Sequence, residues 1–135
     1  MLAGPARTAT GVTVSIARDP ALVRTVRLVA AAVARRTTGD EEFVEEIRLA
    51  VGEACALLVG PVAAQTEAGP VEVSMRLDDR LRVVVRAAGS VAVHDAPTGD
   101  IDGIEPWALL RGLIEDFEIH REATGTALSM SWPLP

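Results

Sequence analysis

The chain has 135 residues and a mass of 14.2 kDa, enough for one domain with an ordinary core and too little for two. With 49% hydrophobic residues it needs no disulfide or metal staple and lacks the composition of a disordered chain. Nineteen acidic residues against thirteen basic ones leave a net charge of −6, a field that repels phosphates and anionic lipid, so no direct nucleic-acid partner and no membrane are expected.

All thirteen basic residues are arginine, and the chain holds no lysine, tyrosine or asparagine. Cys55 is the sole cysteine, which excludes an intramolecular disulfide and a cysteine-based zinc cage and fits a reducing compartment. The most apolar run, residues 28–34, is too short to span a bilayer and is flanked by Arg24, Arg27, Arg35 and Arg36. With no signal-peptide core at the start, the expectation is a soluble, cytoplasmic protein.

Residues 1–10 are small and polar and are expected to be a flexible N-terminus, with residues 11–135 forming a single domain. Residues 12–16 (VTVSI) alternate with period two and read as a strand. Asp19-Pro20 then opens a helix running to about Arg36, with Leu22, Val23, Val26, Val29, Ala30 and Val33 on its apolar face and Arg24, Arg27 and Arg35 opposite. A second helix follows Thr38-Gly39-Asp40, with Glu41 and Glu42 at the positive end of its dipole. Its stripe is Phe43, Val44, Ile47, Ala50, Val51, Ala54, Cys55 and Leu58, while Glu46, Leu49, Glu53, Leu57 and Gly60 fall on a neighbouring edge.

Gly60-Pro61 ends that helix, and residues 71–77 with 80–85 read as a hairpin across Asp78-Asp79. Residues 86–103 have no helical period and read as a lid or crossing loop. Trp107, Leu109, Leu110, Leu113, Ile114 and Phe117 predict a short helix, followed by a strand over 117–120, a turn through Gly125 and a last strand over 126–132. The order β-α-α-β-β-α-β-β predicts an α+β two-layer sandwich, a mixed, mostly antiparallel sheet with helices on one face.

Residues 45–60 (EEIRLAVGEACALLVG) resemble the N-box helix of the GHKL (Bergerat-fold, histidine-kinase-like) ATPases, most closely that of the small anti-sigma-factor serine kinases, where R-L-A-V-S-E-A-C-T-N-A is typical. Residues 12–33 resemble the strand and helix that precede that box, WALLRGLIEDFEIH resembles the stretch after the ATP lid, and Gly125-Thr126 the family's G-T step. The resemblance implies a bacterial transcription regulator that handles ATP through four features. The first is an N-box glutamate as general base with an asparagine four residues on that holds Mg²⁺; Glu53 stands at the former position and Leu57 at the latter, and an aliphatic side chain offers a hard cation no oxygen. The second is a D-x-G-x-G loop that binds adenine, matched by Ala87, Gly89 and Val91, so only Gly89 survives. The third is a phosphate-holding G-x-G, matched by Ile104 and Pro106, and proline has no amide hydrogen. The fourth, Gly125-Thr126, is present.

Glu53 also reads as an ordinary solvated glutamate, and Leu57 as core that fills a former nucleotide cavity. Cys55 reads as a small buried hydrophobe; His94 and His120 match no metal spacing; Asp100, Asp102 and Glu105 read as a solvated acidic loop. Trp107 and Trp132 read as packing residues, and Arg24 and Arg27 as either solvated dipole chemistry or a face that docks an acidic partner. The expectation is an anti-sigma-factor-like regulator acting by protein–protein binding, with a sigma factor or a STAS-domain protein as partner and a homodimer possible, without a metal, a catalytic residue or productive Mg-ATP binding. The alternative is an active serine kinase with ATP and Mg, with Glu53 as base and Asp95, Asp100 or Asp102 replacing the lost contacts.

Overall fold

Period-two strands and one-striped helices can hide their apolar sides only against each other, and the computed structural model joins them in two layers over the residues it describes, 10–60, 69–88, 114, 116–122 and 124–135. The elements are β1 (Thr10–Ile16), a 3-10 turn (Pro20–Leu22), α1 (Val23–Arg35), α2 (Glu41–Val59), β2 (Val71–Leu77), β3 (Arg80–Ala88), β4 (Asp116–Glu122) and β5 (Gly125–Pro133). The sheet order is β1-β2-β3-β5-β4, and every neighbouring pair is antiparallel. The described strands therefore form an antiparallel sheet without the mixed pairing that the sequence predicts.

Register sorts the side chains into two faces. Val14, Val73, Val85, Leu128 and Ile119 form one cross-strand row, and Val12, Met75, Val83, Met130 and Phe117 the next. These rows join the stripes of both helices in one core. Thr13, Ser74, Val84, Ser129 and Glu118 make a row on the opposite, largely polar face.

Local chemistry sets the helix ends. Asp19 Oδ1 accepts a hydrogen bond from the Ala21 N–H at 2.9 Å, as a cap on the 3-10 turn that leads into α1. Asp40 caps α2 more fully: its Oδ1 accepts from the N–H groups of Glu42 at 3.0 Å and Phe43 at 3.4 Å. Gly60 ends α2 with φ 71°, a left-handed angle that glycine adopts without a Cβ penalty, and its N–H reaches the Ala56 carbonyl at 3.0 Å.

Several boundaries differ from the sequence reading; β1, for one, starts at Thr10, inside the segment read as a flexible N-terminus, because its pairing with β2 extends to Leu77. Residues 86–88 belong to β3, not to a loop, because pairing with both β2 and β5 carries the ladder through Arg86, Ala87 and Ala88. Phe117, read both as the last residue of a helix and as the first of a strand, lies in β4 opposite Met130, as the strand reading has it. Gly125 starts β5 opposite Ala88 and is not a turn residue. Residues 1–9 and most of the predicted helix from Trp107 lie outside the described residues, although Ile114 is buried in the core.

Replacing Asp40 by alanine removes the side-chain cap of α2, the longer of the two described α-helices. The expected loss is about 1 kcal/mol in urea unfolding with an unchanged m-value.

Candidate functional site

The eight stripe residues of α2 are all buried, which fixes the rotation of the helix about its axis. That rotation leaves Glu46, Glu53 and Leu57 half-buried along one edge. Glu53 and Leu57, four residues apart, share this edge as the period requires. Leu57 packs against the core, and Glu53 makes no hydrogen bond or ion pair among the described residues.

A second group lies at the end of β3. Ala87 pairs with Thr126 and Ala88 with Gly125, and both Ala87 and Thr126 are buried. Gly125 is needed here for space: a Cβ would stand 2.1 Å from the Ala87 carbonyl oxygen and 2.9 Å from the Ala88 Cα. Glycine at this step is thus explained by the close approach of two strands, with no appeal to a ligand. Gly89, His94, Asp95, Asp100, Asp102, Ile104, Pro106 and Trp107 lie outside the described residues.

Arg18, which carries no signal in the sequence, straps the same end of the sheet. It is 6% exposed; its Nε donates to the Gly69 carbonyl at 2.9 Å and its Nη2 to the Ala88 carbonyl. One buried guanidinium thus ties the segment after β1 to the entry of β2 and the end of β3, and burial pushes it below its ordinary pKa. An arginine beside a capping aspartate reads in sequence as solvated, so only tertiary packing exposes this role.

The structure separates Arg24 and Arg27, two of the three arginines of α1. Arg24 is exposed, whereas Arg27, expected on the same solvent face, is half-buried and lies across α2 at Gly52. A Cβ on Gly52 would stand 2.3 Å from Arg27 Nε, so the bare backbone at position 52 admits the side chain. That Nε is enclosed with no hydrogen-bond partner among the described residues. Both arginines line a cleft of about 450 Å³ between the start of α1 and the end of α2, walled by Pro20, Ala21, Ala56 and Val59. A wider concavity of about 590 Å³ on the polar sheet face, at Arg82, Asp116, Glu118, Ser129 and Ser131, contains none of the residues that the sequence singles out.

Cys55 is fully buried, and burial pushes its thiol up to about 11 against a weaker opposing pull from Arg27. It is a packing residue, as the sequence suggests. Trp132 is in the core as well, and His120 stands on β4 with Nε2 3.3 Å from Glu118. Among the described residues no three His, Cys, Asp or Glu side chains gather as a metal site, and no helix is long and apolar enough to cross a membrane.

Two outcomes follow from this geometry. Gly125→Ala should cost about 2 to 3 kcal/mol through strand overlap, whereas Gly39→Ala, which meets nothing within 4 Å, should be close to neutral in the same urea titration. A thiol that loses its proton only near 11 stays neutral at pH 8, so a disulfide reagent should label Cys55 only as fast as the protein unfolds, and labelling should speed up in denaturant.

Residues 16–132 match the family model described as histidine kinase-like ATPase domain. No curated protein matches the chain.

Proposed function

The chain belongs to the histidine kinase-like ATPase domain family, and we propose that within it this protein is an anti-sigma-factor-like regulator that works by protein–protein binding, without productive Mg-ATP binding or kinase activity. The observation that carries this reading is Leu57. Four residues after Glu53, on the helix edge where the resemblance places a magnesium-binding asparagine, stands a side chain with no donor atom, packed against the core. The chain contains no asparagine at any position that could take its place.

The rest of the donor set supports the same reading. At the position of the adenine-binding aspartate, Ala87 presents a buried methyl group. Among the described residues, a hydrogen-bonded base or a bridged triphosphate would find only Glu46 and Glu53 as carboxylates on the helix edge, and neither Ala87 nor Ala88 offers one at the end of β3. Phosphoryl transfer rests almost entirely on positioned phosphates and metal, so losing these contacts removes the reaction more completely than it removes the fold. What remains for such a scaffold is its surface.

Arg24 and Arg27 give that surface its chemistry. Neither has a carboxylate partner among the described residues, and their cleft has apolar walls, a setting in which an acidic side chain of a sigma factor or STAS-domain protein would meet two cations. A cytoplasmic site of action fits these partners.

Isothermal titration with ATP and ADP, with and without Mg²⁺, tests the nucleotide half of the proposal. No binding heat is expected from the wild type. Micromolar, Mg-dependent binding by the wild type would overturn the reading in favour of an active kinase, in which Glu53 is the base. The partner half is tested by measuring binding to purified sigma factors and STAS-domain proteins, where Arg24→Glu should weaken the cognate complex by at least about tenfold.

A further inference from the structure

Arg27 rests in a notch that α2 offers because residue 52 has no side chain. A Cβ at Gly52 would stand 2.3 Å from its Nε, 2.9 Å from its Cγ and 3.0 Å from its Cδ, so the stem lies directly on the helix backbone. The notch is a poor place for a cation. Its Nε is enclosed with no hydrogen-bond partner, and no carboxylate pairs with the guanidinium among the described residues. The buried Cys55 thiol feels the Arg27 charge, which sets that charge beside the seam of the two helices. A donor and a charge that lose water and gain no partner oppose folding.

The notch also limits what Arg27 can do in the cleft that it lines with Arg24. An arginine grips a carboxylate best side-on, with Nε and one Nη donating to the two oxygens. While the stem lies on Gly52, Nε is closed to any ligand and this grip is impossible. The obstacle is a rotamer, because the atoms that crowd position 52 belong to a long flexible side chain and not to backbone.

We propose that Arg27 is a stowed carboxylate receptor: in the free protein it lies against Gly52, and it lifts into the cleft beside Arg24 when a ligand with two carboxylate groups enters. This role rests on the acidic partner proposed above, for which a small dicarboxylate stands in below. Lifting exchanges an unsatisfied donor for charge-assisted hydrogen bonds, so the lifted state is the one that the ligand binds better and therefore populates. Two carboxylates match the cleft because Arg24 and Arg27, three residues apart on α1, are neighbours on the helix surface. Stowing also explains why a glycine is useful at position 52, deep in a helix where alanine has the higher propensity.

Two variants of the full chain test the device without any protein partner. Gly52→Ala fills the notch, so Arg27 must lift, and Arg27→Met keeps an unbranched apolar stem without the charge. Both should raise the urea midpoint above that of the wild type. Nuclear magnetic resonance of the arginine Nε–H groups follows the side chain itself. In the wild type the Arg27 Nε–H should exchange with water at least about tenfold more slowly than that of exposed Arg24, and Gly52→Ala should abolish the difference. Succinate should shift both signals and bind Gly52→Ala at least about threefold more tightly than the wild type, because the receptor is then already lifted. Arg27→Met should bind it at least about tenfold more weakly, and uncharged succinamide should bind none of the three proteins. An Arg27 Nε–H that exchanges as fast as that of Arg24, a urea midpoint lowered in either variant, or succinate that binds Gly52→Ala no better than the wild type overturns the proposal. Succinate binding as described, with no sigma factor or STAS-domain protein binding, supports the receptor and overturns only the partner.

Discussion

The burial of one face of α2 is the constraint on which the remaining geometry depends. Ile47, Val51, Ala54, Cys55 and Leu58 have no exposed surface, and each large aliphatic among them contributes about 2 kcal/mol by leaving water. A slip of one residue would turn the helix by about 100° and carry charged side chains toward the core, at a cost of several kcal/mol per ion. The Asp40 cap and the left-handed Gly60 fix where the helix starts and stops, and the stripe fixes its rotation. Glu53 and Leu57 therefore hold their edge because of residues that have nothing to do with ligand chemistry.

The same separation of scaffold from chemistry holds at the end of β3. Gly125 persists because two strands approach too closely for a Cβ, and Arg18 holds the strand ends by donating to two backbone carbonyls. Neither residue needs a nucleotide to justify its identity. A family fold can keep its packing residues under such steric demands while the residues that meet a ligand change, and on the proposed reading Leu57 and Ala87 stand where the resemblance places an asparagine and an aspartate. Leu57 extends the apolar packing of α2, and the proposed loss of magnesium chemistry and the gain of packing are then one substitution viewed from two sides.

On this reading the protein's work moves to its exterior, to the cleft with Arg24 and Arg27, which the bare backbone of Gly52 shapes by letting the Arg27 stem cross α2. That surface is electrostatic and would set partner choice and association rate.

Most of the fold was legible in the residues. Helix and strand periods located both described helices and all five described strands; Asp19 marked the 3-10 turn that leads into α1, the Asp40 carboxylate the start of α2, and Gly60, free to take a left-handed angle, its end. The i, i+4 relation of Glu53 and Leu57 was legible too, because it is a property of a single helix. Residues 86–88 were misread as loop, since small residues in Arg86-Ala87-Ala88 carry little strand signal and only pairing on both sides makes them β. The burial of Arg18, the crossing of Arg27 over Gly52 and the steric role of Gly125 depended on tertiary structure alone. Each is a contact between segments remote in the chain, and local periodicity contains no information about which backbone will lie a few ångströms away.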